Sequence, residues 1–512
     1  MNLTLAVAFN RHDSSVTLAD GRSVLLLLEA ERYFREKKKQ CSRAEMETLI
    51  RAALTSVGAE EGDIRHIVLA TLENAFLPPD DRYTRHLGRR TARVLGRERS
   101  VTLVNHHAAH AGLAFAFPAT PTLISSCDGG GDPGERNEYF LSSGTALRKV
   151  ASHNARAVTA KLYDVVAQYV YGDIRCEGKL MALAAYGTPQ RDDLLLLHRG
   201  RRVLSTGTYA QCFRYLGTHW RSLRGAAAAD PMRVADFAAA TQHFFEEERL
   251  RDLRNVARRQ RGLRRLLLVG GAALNITLNS RIREAFPHLD VVAPACCDDT
   301  GQSLGALLYA HAARTGRRLH VDLPFLGLGD GAATMPRATV ERIVRALVAG
   351  KVIALHHGRA EIGPRALGHR SFIAQATTLR MRRLLNDVIK QREAYRPLAP
   401  IVLRNEMRHW FVEAFSSPYM LFAVHSRPVA QERIPAALHA DGTARVQTVT
   451  RGDVPLFPIL AAYRKATGIP VLLNTSLNLR GDPLSNDIED TRRIVRTFPR
   501  HVIGVYNGQV LR

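Results

Sequence analysis

The chain has 512 residues, a formal net charge of +24 and six cysteines. That length predicts several domains, each with its own core, and no run of about eighteen apolar residues is present to span a membrane. The cysteines lack any Cys-x-x-Cys spacing and two of them, Cys296 and Cys297, are adjacent, so a disulfide framework and a zinc ribbon are excluded and reduced thiols are expected.

Leu3–Phe9 reads as a strand rather than a signal peptide, because no positive segment precedes it; a cytoplasmic chain is expected. A polar turn, Asn10–Ser15, a short strand Val16–Leu18, an Asp20-Gly21 turn and a strand Ser23–Leu28 complete a β-hairpin. The first turn carries His12 beside Asp13, an imidazole that a neighbouring carboxylate could orient as a general base. Residues 29–39 read as an exposed charged loop, 43–58 as a helix and Ile64–Ala70 as a strand. The basic stretch Asp80–Arg99 suggests mobility or contact with a partner.

Val101–Val104 predicts a strand feeding a helix that runs to about Phe117. His106 and His110 stand at i and i+4 and share one face of that helix. Such a pair either closes on one metal ion or packs in a core; His107 points elsewhere, and its place is where a metalloprotease needs Glu. Thr122–Cys127 reads as a strand ending in Asp128 and the run Gly129-Gly130-Gly131-Asp132, which makes Asp128 a third candidate ligand. Lys179 follows in a loop that enters a short helix. Helices are expected at 233–262. Beyond the strand Leu266–Val269, Gly270-Gly271 leads toward Asn275 at a strand-to-helix switch, where backbone can approach a nucleotide. Asp298-Asp299 opens the next helix and supplies a fourth candidate ligand. Residues 320–338, rich in glycine and proline, read as a linker.

The second part begins with a helix, Val340–Ala349, and a strand, Val352–His356. A loop at 358–371 holds Arg365 and Arg370, with Lys390, Arg392 and Arg396 beyond it. Ile469–Leu473 reads as a strand that leads to Ser476 and Asn478 in a polar turn. Guanidinia, an ammonium and hydroxyl or amide groups at strand ends suit phosphate oxygens. The chain's arginines are otherwise spread out without aromatic interleaving, which argues for anionic small substrates and against a nucleic acid partner.

In their order along the chain, these residues resemble the O-carbamoyltransferase family of the nodulation and antibiotic-tailoring type. The resemblance rests on His12-Asp13-Ser14-Ser15, Asn105-His106-His107-Ala108-Ala109-His110-Ala111, Asp128-Gly129 and Gly178-Lys179-Leu180-Met181. It continues through Gly270-Gly271-Ala272-Ala273-Leu274-Asn275, Asp299-Thr300-Gly301 and Glu361-Ile362-Gly363-Pro364-Arg365-Ala366-Leu367-Gly368. Arg396-Pro397-Leu398-Ala399-Pro400, Asp441-Gly442-Thr443-Ala444-Arg445-Val446-Gln447 and Asn474-Thr475-Ser476 complete it.

The resemblance implies an α/β protein of two domains. Residues 1–325 would form an actin-like ATPase domain, similar to the enzyme that completes threonylcarbamoyladenosine on tRNA, and residues 338–512 a YrdC-like α/β domain. It implies an ATP-dependent O-carbamoyltransferase. Carbamoyl phosphate would be activated as carbamoyl adenylate, and the carbamoyl group passed to a hydroxyl of a small natural-product or antibiotic acceptor. Carried onto this chain, His106, His110, Asp128 and Asp299 would hold Fe2+ or another divalent metal, with Asp298 the rival for the last place. Lys179, Gly270, Gly271 and Asn275 would bind nucleotide. Arg365, Arg370, Arg392, Ser476 and Asn478, with Lys390 and Arg396 as catalytic groups, would hold carbamoyl phosphate and ATP, accompanied by Mg2+. His12, with Asp13, would serve the acceptor hydroxyl. Loops near 70–100 and 190–235 would shape the acceptor pocket. A homodimer is compatible with this reading, and a tRNA-modifying threonylcarbamoyl enzyme is its alternative. Departures from the family's pattern fall at Asp132, His369, Leu477 and the loop near Lys37.

Overall fold

The computed structural model describes residues 1–10, 12–71, 76, 86–130, 137–153, 160–331 and 334–511. Packing groups the chain into two compact units, one of residues 4–9 and 66–320, the other discontinuous and built from 1–3, 10–65 and 321–512.

The unit of residues 66–320 holds a five-stranded sheet in the order Asp290–Val292, Arg265–Val269, Thr122–Cys127, Asn137–Ser143, Ala146–Ser152. The first three strands run parallel and the last two antiparallel. Every residue of Thr122–Cys127 is buried, as expected of a central strand covered on both faces. In the parallel pair Val269 lies beside Ser126, so the chain leaves both strands at one edge. There Asp128 and Gly270 emerge together, at the carboxyl ends of parallel strands, where α/β sheets place their ligands. Gly270 has φ +85°, and a Cβ on it would lie 2.3 Å from the Cys127 carbonyl oxygen. Only glycine fits that junction.

Two stretches differ from their sequence reading. The described part of the basic stretch 80–99 is no mobile loop: Leu87–Val94 pairs antiparallel with Arg97–Val104. Ala92 and Val94 are buried while Arg89, Arg90 and Thr91 face solvent, and Leu95-Gly96 turns with both residues at positive φ, as a tight hairpin requires. The arginines disguised the alternation. Residues 80–85, with Gly131 and Asp132, lie outside the described residues. Much of 190–235 is helical, as Arg191–Arg199, Arg201–Thr206 and Tyr209–His219. The last of these begins with a Thr208–Gln211 capping box. Gly200 and Gly207 broke the pattern into pieces too short to read.

The other unit is built on a seven-stranded mixed sheet. Its order is Gln447–Val449, Ala399–Leu403, Val471–Ser476, Arg370–Gln375, Val352–His356, Val502–Tyr506, Gln509–Val510. The hairpin Ser15–Ala19/Val24–Glu29 belongs to the same unit. Glu29 ties it to the 358–371 loop: its Oε1 accepts from the Gly363 N–H at 2.8 Å, and its Oε2 pairs with Arg32 at 2.9 Å. Arg32 in turn donates to the Glu361 and Gly363 carbonyls. No helix among the described residues is long and apolar enough to cross a membrane.

Candidate metal centre and basic pocket

Val104 ends its strand and Asn105 starts the histidine helix, His106–Gly112. The Asn105 side chain caps it, accepting from the His107 N–H at 3.0 Å and the Ala108 N–H at 3.3 Å. All seven helix residues are buried. The small residues among the histidines have a packing reason. This helix lies directly against Gln302–Thr315: a Cβ on Gly305 would sit 1.9 Å from the Ala109 carbonyl oxygen, and one on Gly112 would sit 2.0 Å from that of Gly305. Backbone contact of this kind is open only to glycine and brings Asp299 and Gln302, at the start of the second helix, up to the imidazoles.

His110 Nε2 lies 3.3 Å from Asp128 Oδ2 and 3.2 Å from Asp299 Oδ1; His106 Nε2 lies 3.9 Å from each. One donor atom from each of the four residues falls within 4.8 Å of the others. A tetrahedral ion with bonds of about 2.1 Å separates its ligands by about 3.4 Å, so the spacing suits a single cation. Two imidazole nitrogens and two carboxylate oxygens, with no sulfur, fit a divalent first-row metal. Electrostatics agree. Burial lowers the His110 pKa, but Asp128 and Asp299 more than compensate and bring it to about 9. Burial and Asp299 push the Asp128 carboxyl up, yet the adjoining His110 and His106 leave it below the ordinary range.

Supporting contacts complete the cluster. Asp128 accepts the Gly129 N–H at 2.6 Å and the Gly271 N–H at 2.9 Å. His107 Nδ1 meets Ser126 Oγ at 2.7 Å and so pins the histidine helix to the strand that carries Asp128. The choice between the adjacent aspartates is geometric: Asp299 joins the cluster, while Asp298 accepts the Thr300 hydroxyl. Gln302, which the sequence reading passed over, lies 2.7 Å from Asp299 Oδ1 and 2.5 Å from His106 Nδ1. Its place one turn beyond Asp299 on a helix was the available signal.

The expected nucleotide-binding residues of this unit are more dispersed. Gly270 and Gly271 lie beside Asp128, with the Gly271 N–H spent on it. Asn275 caps the helix Ile276–Ala285 and bonds Gln242 at 3.0 Å. The Lys179 ammonium sits over the Tyr171 ring, 5.8 Å from its centroid.

In the other unit the expected cations do gather. Lys390 Nζ is buried and donates to the Ser476 and Asn478 carbonyls at 2.8 Å each, to Ser476 Oγ at 3.2 Å and to Asn478 Oδ1. Burial pushes its pKa well below the lysine range, and Arg392, Lys37 and Arg396 push further. Burial and then Arg396 bring Arg392 down to about 9. Arg445, a residue without a role in the sequence reading, feels Arg365, Arg392 and Arg396, and burial together with those charges depresses it strongly. Arg365 is held by a rigid loop: Glu361 Oε1 accepts the Leu367, His369 and Arg370 N–H groups at 2.5, 3.3 and 3.3 Å. Arg370 does not join this group. Fully buried, it spends its terminal nitrogens on the carbonyls of His357, His369, Leu328 and Gly358, which braces the loop.

His12 Nδ1 meets Asp13 Oδ2 at 2.8 Å, and Lys38 Nζ reaches the same oxygen at 2.6 Å. Asp13, at φ 56°, is buried, whereas half of the His12 side chain is exposed. Burial raises the Asp13 pKa, but His12 and Lys38 hold it down to about 2. The result is a half-exposed imidazole oriented by a carboxylate that stays ionised at neutral pH.

A buried His/Asp cluster at the sheet edge of one unit and a group of mutually repelling cations in the other are the candidate functional sites. The family model for the carbamoyltransferase N-terminus matches residues 80–308, and that for the carbamoyltransferase C-terminus matches 344–508. The chain belongs to the carbamoyltransferase family. It is 30% identical over 419 residues to the nodulation protein NolO of Bradyrhizobium diazoefficiens, covering 76% of this chain and 75% of that one. The 3'-hydroxymethylcephem-O-carbamoyltransferase of Streptomyces clavuligerus is 29% identical over 527 residues, covering 96% of this chain and 95% of its own length. The nodulation protein NolNO of Sinorhizobium fredii is 31% identical over 426 residues; the match takes in 78% of this chain but 62% of that longer protein.

Proposed function

We propose that this protein is an ATP-dependent O-carbamoyltransferase acting on a hydroxyl of a small molecule. The observation that carries this reading is the crowding of Arg365, Arg392, Arg396 and Arg445 around one another with Lys390 nearby, a repulsion that a bound anion would relieve. In this reading residues 338–512 act as a YrdC-like activation domain and 1–325 as an actin-like transfer domain. Water releases phosphate from carbamoyl phosphate, and the resulting carbamate oxygen attacks the α-phosphorus of ATP. Pyrophosphate leaves and carbamoyl adenylate remains. Lys390 and the arginines stabilise the negative charge on the phosphate oxygens, with Mg2+ accompanying ATP.

The acceptor hydroxyl then attacks the carbamoyl carbon and AMP departs. The Nε2 of His12 takes the hydroxyl proton, while Asp13 at Nδ1 holds the imidazole in place. His106, His110, Asp128 and Asp299 would hold the divalent metal, which supplies a Lewis acid for phosphate or carbamoyl oxygens. The relative from Streptomyces clavuligerus is named for a hydroxymethyl acceptor, which supports a primary alcohol as the first acceptor type to try.

The test separates the two half-reactions. ATP and carbamoyl phosphate without acceptor should release pyrophosphate. His12→Asn should keep that release and lose carbamoyl transfer by about a hundredfold or more. Loss of both half-reactions in His12→Asn would remove His12 from the transfer step, and no pyrophosphate from metal-loaded wild-type protein would remove the adenylate.

A further inference from the structure

The unit of residues 66–320 has a second concave site, lined by none of the four metal ligands. Its main wall is the last part of the long helix Ala235–Ala257 and the residues just beyond it. Glu248, Arg251, Asp252 and Asn255 recur there at spacings of three and four and share one helix face, and Arg259 follows just past the helix end. Together with Arg258, His153 and Arg201 they enclose a cleft of about 580 Å³, a size common for small-molecule sites.

The charges in this cleft are organised. Glu248 accepts from Arg201 at 3.0 Å with one oxygen and from Arg251 with the other, so a single carboxylate fixes two guanidinia. Asp252 is spent internally: it takes the Tyr139 hydroxyl at 2.6 Å, the Asn137 amide at 2.7 Å, His153 Nδ1 at 2.5 Å and Arg249 at 3.2 Å. Arg258 and Arg259 are exposed and have no acidic partner among the described residues. Four arginines therefore face the cleft against two carboxylates, Glu248 and the internally bonded Asp252. A row of arginines on a helix is ordinarily a solvated face. Here the concavity, the clamping of Arg201 and Arg251 and the anchored imidazole of His153 make a preorganised site.

We propose that this cleft binds a small phosphate-bearing anion, with Arg258 and Arg259 supplying the unneutralised charge and the Glu248-held pair the fixed donors. Several guanidinium forks converging on one volume suit the many acceptor oxygens of phosphate better than a single carboxylate. The site is not isolated from the metal centre. Arg249, which bonds Asp252, also donates to Ser125 Oγ at 3.1 Å, on the strand that leads into Asp128.

The experiment is calorimetric titration of the full chain with inorganic pyrophosphate, glycerol phosphate and glycerol. Arg392→Gln/Arg396→Gln serves as background, so that the basic pocket of the other unit contributes little. That background should retain one phosphate site per chain, and glycerol should give no heat. Adding Arg258→Gln/Arg259→Gln should weaken binding about tenfold or more with the melting temperature unchanged, since both residues are exposed. Asn255→Glu, which places a carboxylate in the cleft, should do the same. Tighter binding of glycerol phosphate assigns an organic phosphate ester as the ligand class; tighter binding of pyrophosphate assigns the free ion. Phosphate binding that survives both sets of cleft variants, or no binding in the background protein, would overturn the proposal.

Discussion

Replacing Gly305 by alanine tests whether backbone contact between two helices builds the metal centre. The added methyl would sit 1.9 Å from the Ala109 carbonyl oxygen, where real Cβ contacts stay beyond 3.0 Å. The obstacle is backbone, so the helices His106–Gly112 and Gln302–Thr315 must part by about 1 Å. Metal bonds tolerate about 0.2 Å. The two histidines ride on one helix and Asp299 precedes the other, so the separation falls across the ligand set. Overpacking of this kind costs about 2–3 kcal/mol, equivalent to a fall of roughly 5–10 °C in melting temperature for a unit of this size. Thermal melts and elemental analysis after dialysis measure the two effects, and metal retention should fall about tenfold or more. Gly178→Ala is the control. Its methyl would meet open space within the helix Glu177–Ala184, so stability should hold or rise by up to about 1 kcal/mol. A Gly305→Ala protein with wild-type melting and wild-type metal content would refute the reasoning.

The neighbouring aspartates make a paired prediction: Asp299→Asn should lose the metal and Asp298→Asn should keep it, because only the first faces the histidines. The reverse order in elemental analysis would move the site by one residue. Arg445→Gln should separate stability from function. Relieving repulsion from three other guanidinia should raise the melting temperature, while the KM for carbamoyl phosphate rises about tenfold. A lower melting temperature with unchanged KM would show that Arg445 braces the fold and does not face the anion.

Strands with apolar runs, such as Ile67–Ala70 within Ile64–Ala70 and Val352–Leu355 within Val352–His356, were legible because burial on both faces leaves little ambiguity. The four metal donors were legible for a different reason. Helical spacing joined His106 to His110, and carboxylates at the end of a strand and the start of a helix are short routes to a shared edge. Gln302 carried only its place one turn beyond Asp299, and an amide that bonds ligands otherwise looks like any helix glutamine. Arg365 and Arg370 lie five positions apart in one loop, and spacing alone does not say which one faces outward. The start of the strand Arg370–Gln375 turns Arg370 inward, among carbonyls. Arg445 sits on a three-residue strand, too short to show an alternation.

The Glu29–Arg32 pair has a bearing on biosynthesis. Its partners are the Glu361 and Gly363 backbone groups, more than three hundred residues downstream. A growing chain therefore leaves Glu29 and Arg32 without these loop partners throughout the translation of residues 66–320, whose five-stranded sheet can form first. The N-terminal segment is made early and satisfied late. Expressed from its own start codon, the fragment 338–512 would emerge with the Gly363 N–H and two loop carbonyls bare, and its Arg365 loop would lack one of its two braces. Supplying residues 10–65 as a separate chain is then the natural rescue, and cutting between 325 and 338 alone would not yield a self-sufficient C-terminal half.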